Sequence, residues 1–230
     1  IGSLSCMALY FFDLENFAIG LFFYATALIG FWGSLVFYNS YLPDLALTEQ
    51  QDAISAKGYS LGYVGSVILL VIILAILMNY KTFGFENELE VMRVSFLLVG
   101  IWWLGFSQYT YKNLPNFRNK NKLEFAIFFS GIKELKSVYN KLSDYPSLKK
   151  FLTAFFVYSM AVQTVMIIAA YFGEKEVQWA NDEQRTSGLI ISILLIQLIA
   201  VLGAVLTSKI SKKFGNVQTL IGINLLWILI

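Results

Sequence analysis

Residues 58–80 read GYSLGYVGSVILLVIILAILMNY, 23 positions without an Asp, Glu, Lys or Arg. A helix needs about 20 mostly apolar residues to cross the roughly 30 Å hydrocarbon core of a bilayer. One such run could be the core helix of a large soluble protein. This chain of 230 residues holds six uncharged runs of 17 residues or more: 16–43, 58–80, 94–111, 151–173, 186–208 and 214–230. A shorter one, 1–12, opens the chain. No soluble domain needs so many, so the chain reads as an all-α polytopic membrane protein.

Composition agrees. Charged residues make up 14% and hydrophobic ones 57%, where soluble chains carry about 25% charged residues. Tyr41, Tyr80, Trp102, Tyr111, Tyr171 and Trp179 fall near run ends, where amphipathic rings settle at the membrane interface; packing alone would account equally well for any one of them. There is no histidine and one cysteine, Cys6. That excludes an intramolecular disulfide, Ser-His catalysis and His-ligated or Cys-based metal chemistry within these residues. Neither an enzyme nor a cofactor is expected, and no partner beyond the lipid bilayer and a small solute: no nucleic acid, and a monomer. Residues 1–12 lack the basic start of a signal peptide. The chain opens and closes inside apolar runs, so a fragment of a longer protein is expected.

The segments between runs alternate in charge. Those at 13–15, 81–93 and 174–185 hold 4 basic and 9 acidic residues. Those at 44–57, 112–150 and 209–213 hold 13 basic and 6 acidic residues. The excess of Lys and Arg assigns the second set to the cytoplasm. Its longest member contains the loop, about 112–148, that divides the chain into a first part, 1–111, with spans at about 1–12, 17–40, 57–79 and 91–111, and a second, 149–230, with spans at about 150–172, 186–208 and 216–230. Inside this loop Phe125, Phe128, Phe129, Ile132, Leu135, Tyr139 and Leu142 recur at helical spacing, with Lys133, Glu134, Lys136 and Lys141 between them. The pattern predicts an amphipathic helix. It either lies on the inner leaflet, Phe side down, or packs on the protein's own cytoplasmic ends.

A few polar and small residues stand out within the spans. In VFYNSYLPDL (36–45), Pro43 stops a helix and Asp44 meets water. Tyr38 and Asn39 put polar atoms at the boundary, as a wet helix end or as part of a gate or cavity. In SAKGYSLGYVGS (55–66), Gly58 and Gly62 form GxxxG, Gly62 and Ser66 repeat the spacing, and Gly65 lies between them. Small residues on one face let helices approach closely, so Gly62 is expected against a neighbouring helix. Gln163, Thr164 and Gln197 lie in mid-span. Amides at that depth either bond helix to helix or face a cavity and its solute. No Asp, Glu, Lys or Arg lies in mid-span, which leaves ion coupling without a visible residue.

With the basic loop set between helices six and seven, the chain resembles the major facilitator superfamily. Two spans later, Lys209-Ile210-Ser211-Lys212-Lys213-Phe214-Gly215 is similar to its short loop motif. Lys213 and Gly215 match, and Lys212 stands where the motif has an acid. The segments VFYNSYLPDL, SAKGYSLGYVGS and FLTAFFVYSMAVQTVMIIAAYFGEKE (151–176) resemble the autophagy-linked vacuole effluxer family and its bacterial relatives. Members often carry Asp-Gly where this chain has Met160-Ala161. The resemblance implies helices three to nine of a twelve-helix transporter built of 3+3 inverted repeats, with a midplane site and rocking alternating access. It also implies a small polar solute, by family analogy an amino acid that is exported or released, and a bacterial inner membrane. The solute-cavity candidates are Gln163, Thr164, Asn39, Tyr38 and Gln197. A seven-helix receptor or sensor, a membrane enzyme and a non-transporting scaffold are the alternatives.

Overall fold

The computed structural model describes residues 1–12, 16–114 and 126–228, with the side chains of 126–129 outside the description. The described residues are helical and contain no strand. Helix α1 (Gly2–Ala8) continues as a 3₁₀ turn, Leu9–Phe11. Then come α2 (Phe17–Ser40), α3 (Leu42–Leu45), α4 (Gln51–Met78), α5 (Glu88–Asn113), α6 (Ala126–Lys141), α7 (Pro146–Lys175), α8 (Asp182–Phe214) and α9 (Asn216–Ile228). Five spans are long and apolar enough to cross a membrane: Phe17–Leu45, Thr48–Met78, Glu88–Asn113, Pro146–Lys175 and Asp182–Phe214. The runs expected at 1–12 and 216–230 form shorter apolar helices, Gly2–Phe11 and Asn216–Ile228.

The long helices outrun the uncharged segments that mark them. Helix α8 has 33 residues, about 50 Å at 1.5 Å per residue, and α4 has 28. Charge marks where a helix leaves the hydrocarbon, not where it ends, so Asp52 and Lys57 sit inside α4 rather than in a loop. The ends have local causes. Asn87 Oδ1 accepts from Glu90 N–H at 3.0 Å, and the Glu90 carboxylate accepts from Glu86 N–H at 2.9 Å, closing the start of α5. Asn181 Oδ1 accepts from Gln184 N–H at 2.7 Å and caps α8. Asp182 and Glu183 follow in that first turn, where the helix dipole favours negative charge. Pro146 opens α7, in the first turn where a missing N–H is no loss. Gly215 separates α8 from α9 at φ +88, a backbone that only glycine adopts without strain.

The chain forms two compact units, Ile1–Asn113 with Asn181–Ile230, and Leu114–Ala180. In the first, α1 packs against α2 and α5. Ser3, Ser5, Cys6 and Leu9 are buried there. The close approach is made by Gly2, Gly30 and Gly100. A Cβ at Gly30 would meet the Cα of Gly2 at 2.6 Å, and one at Gly100 would meet the Ser3 carbonyl at 2.8 Å. Phe31 and Trp103 meet edge to face at 6.2 Å between centroids. The other main contact in this unit is α4 against α8, with α9 beside α8. These helices come from both sides of the basic loop, so the first unit cuts across the two parts that the charge pattern marks off.

The second unit holds α6, the 3₁₀ turn Leu142–Asp144 and α7. Helix α6 falls where the amphipathic spacing predicts one. Phe125 lies outside the described residues.

Candidate functional site

Two hydrogen bonds between side chains define how α4 and α8 meet. Gln197 Nε2 donates to Ser66 Oγ at 3.1 Å. Ser211 Oγ donates to Asp52 Oδ2 at 3.2 Å. From Asp52 to Ser66 and from Gln197 to Ser211 the chain advances by the same 14 residues, in opposite senses. The pair is therefore antiparallel and in register over about 21 Å. Fourteen residues are two heptads, the 3.5-residue period of helices that wind around each other with a left-handed twist.

Alongside these two bonds lies an open crevice of about 520 Å³, lined by α4 and α8 and on a third side by α9. Helix α4 contributes Asp52, Ser55, Tyr59 and Tyr63; α8 contributes Ala204, Thr207, Ser208 and Ser211; α9 contributes Asn216 and Thr219. The α4 set steps by three or four residues and the α8 set follows i, i+3, i+4, i+7, each one face of a helix. The same register sets Tyr59 opposite Ala204 and Tyr63 opposite Ala200, a large ring facing a small residue each time. The volume lies within the range of about 300–1,000 Å³ typical of small-molecule sites.

The polar end of the crevice is a cluster of three. Ser211 Oγ faces both Asp52 Oδ2 and Asn216 Oδ1. A hydroxyl has one proton and serves one acceptor. Exchanging the N and O of the Asn216 amide satisfies all three groups: its NH₂ donates to Ser211, and Ser211 donates to the carboxylate. Thr219 Oγ1 donates to the Gly215 carbonyl at 2.8 Å and ties α9 to the glycine turn. The segments 44–57 and 209–213, grouped by charge, meet here through Asp52 and Ser211. Asp52 retains acceptor capacity toward the crevice, among hydroxyls and two aromatic rings. Such a set suits a small solute with an ammonium group and further polar atoms. Among the described residues no three His, Cys, Asp or Glu side chains form a group that could hold a metal.

The residues singled out from sequence lie in several places. Gln197 is engaged with Ser66, helix to helix, at one end of the seam. Tyr38 is half exposed, with its hydroxyl 3.0 Å from where a Cβ of Gly58 would sit. Asn39 is exposed on the last turn of α2. Gln163 and Thr164 are exposed on α7, in the other unit. Thr164 Oγ1 donates to the Met160 carbonyl of its own helix at 2.8 Å. A Cβ at Gly62 or Gly65 meets nothing within 4 Å among the described residues. On a helical wheel Gly58, Gly62 and Gly65 lie about 100° around α4 from the face that meets α8. Lys212 and Lys213 end α8, and Lys213 Nζ stands 5.1 Å from the Phe214 ring centroid. Sequence reasoning missed Asp52, Ser55, Ser211 and Asn216. The signal for Ser211 was present in the one-faced row 204-207-208-211, but nearby charges placed that row's end in a loop.

Residues 1–230 match the family model described as "Vacuole effluxer Atg22 like". An uncharacterized MFS-type transporter, YxiO of Bacillus subtilis, is 27% identical over 96% of this chain and 51% of its own length. Autophagy-related protein 22-1 of Aspergillus terreus is 26% identical over 79% of this chain and 31% of its own. Autophagy-related protein 22-2 of Aspergillus oryzae is 28% identical over 75% and 30%. The chain thus spans about half the length of the bacterial relative and about a third of the fungal ones. No solved structure matches it at a significant level.

Proposed function

The chain belongs to the vacuole effluxer Atg22-like family, a multi-pass membrane transporter family of the major facilitator type, and on that premise we propose that it moves a small amino acid out of the cytoplasm. The observation that carries this reading is the crevice between α4, α8 and α9. Its carboxylate, Asp52, suits an α-ammonium group, and its hydroxyls suit a carboxylate. The words "effluxer" and "transporter" in the names of the family and the bacterial relative support export. The Bacillus relative supports a bacterial cell membrane as the location.

The mechanism proposed is alternating access. Residues 1–111 and 149–230 end and begin two halves joined by the basic loop, and α4 and α8 are the elements by which they touch. The seam has a polar bond at each end and small residues opposite rings between them. Such a contact can part without exposing a continuous apolar face. With the charge rule placing Asp52 and Ser211 at the cytoplasmic end, breaking the Ser211–Asp52 bond opens the crevice to the cytoplasm. Gln163, in mid-span on α7, is proposed separately, within its own unit, as a residue that contacts solute, since its amide offers both donors and an acceptor.

Flux of labelled amino acids into or out of proteoliposomes tests the reading, paired with thermal shift over a panel of amino acids and osmolytes. A solute that binds the folded protein raises its melting temperature. Stabilisation by an amino acid, with flux that Asp52→Asn reduces, is expected. Failure of every amino acid in both assays counts against the substrate class, and flux untouched by Asp52→Asn counts against the crevice.

A further inference from the structure

Helix α6 and the start of α7 carry a surface that the transport reading leaves unused. From Ser130 to Lys150 every residue except Leu142 is exposed. The exposed residues include Ile132, Leu135, Val138 and Tyr139, between 57% and 75% accessible. On the helical wheel Ile132, Leu135 and Tyr139 share one face, while Lys133, Ser137 and Lys141 fall on the other and Lys136 flanks the boundary. The segment 126–150 holds five lysines (133, 136, 141, 149 and 150) against Glu134 and Asp144. Helix α6 reaches α7 through only the turn Leu142–Asp144 and Tyr145. Lys149 and Lys150, with Pro146, Thr153 and Tyr158, edge an open groove along the first turns of α7. The uncharged run of α7 starts at Phe151, so the five residues before it span only about 7.5 Å. The chain therefore holds the end of α6 at headgroup depth.

We propose that α6 and the first turn of α7 form a docking surface for an anionic phospholipid leaflet. The apolar face of α6 enters the headgroup boundary, and the five lysines take up lipid phosphates. Charge selects this occupant. The surface carries a net positive charge and lies on the side that the Lys and Arg excess assigns to the cytoplasm, where membranes present acidic lipids. The protein's own segments on that side, 44–57 and 209–213, carry four lysines against Asp44, Glu49 and Asp52, and so offer no net negative charge to hold it. This inference does not depend on which solute is transported.

The test uses the intact protein with Cys6→Ser and a single cysteine at Leu135 or at Ser137, labelled with an environment-sensitive fluorophore. It is placed in nanodiscs of phosphatidylcholine, with and without phosphatidylglycerol. In the mixed bilayer, the label at 135 is expected to be quenched by nitroxides on the lipid chains and shielded from aqueous iodide, and the label at 137 to behave in the opposite way. Each lysine withdrawn should weaken the preference for the anionic bilayer about fivefold. Lys133→Glu with Lys136→Glu should therefore return the 135 label to its behaviour in phosphatidylcholine, whereas the two Lys→Arg changes should not. Melting temperatures of the variants separate loss of docking from loss of fold. Shielding of the 135 label from both quenchers, meaning that the face packs on protein, overturns the proposal. So does exposure to iodide in the anionic bilayer, or indifference of a folded double Glu variant to lipid charge.

Discussion

At the scale of single residues, two glutamines in similar sequence settings have different surroundings. Gln197 holds Ser66 across the α4–α8 seam, while Gln163 is exposed on α7. A net hydrogen bond contributes about 1 kcal/mol. Gln197→Ala is expected to lower stability by about that amount in detergent melting curves, with apparent solute affinity unchanged. Gln163→Ala is expected to leave the melting curve in place and weaken solute affinity about fivefold, the equivalent of one hydrogen bond. Asp52→Asn removes a charge from the crevice and should raise the apparent KM for an amino acid about tenfold, in line with about 1.5 kcal/mol for a hydrogen bond to a charged group. The deep amides were legible in sequence because a polar atom within an apolar run stands out. Asp52 and Ser211 were not, because an acid or a hydroxyl at the end of a run looks like a solvated loop. Only the antiparallel register, which no local pattern encodes, brings residues 159 positions apart together.

At the scale of elements, helix existence was legible and close contact was not. Apolar periodicity and uncharged length marked α2, α4, α5, α7 and α8, and the spacing of 125–142 marked α6. The ends fell short because charge reports the edge of the hydrocarbon and not the last hydrogen-bonded turn. Among the described residues the tightest approach lies among Gly2, Gly30 and Gly100, three isolated glycines with no motif between them. The spacing of small residues names a face but not a partner. Gly30→Ala would force a side-chain atom against the backbone of Gly2. Overpacking of this kind costs about 1–3 kcal/mol, so a lower melting temperature is expected. Gly62→Ala meets nothing within 4 Å, and its melting temperature should match or exceed that of the parent, since alanine is the better helix former.

At the scale of the whole molecule, the charge pattern and the structure can be compared at one point. The Lys and Arg excess groups 44–57 with 209–213, and the fold joins them through Asp52 and Ser211. The same rule makes a further prediction. A cysteine at Ser137 should be labelled by a membrane-impermeant reagent only from the cytoplasmic side, and one at Gln178 only from outside. Equal labelling of both from outside intact cells would contradict the topology. Membership in a transporter family and the polar seam between α4 and α8 both support the proposal that solute passes because this seam opens and closes. Ser55 and Ser208 line the crevice from opposite helices. The decisive measurement is amino acid flux in proteoliposomes with Ser55→Cys and Ser208→Cys in a Cys6→Ser background, before and after bridging by a short bifunctional thiol reagent that reduction can release. The account predicts that bridging stops flux and that reduction restores it. Undiminished flux through fully bridged protein would contradict it.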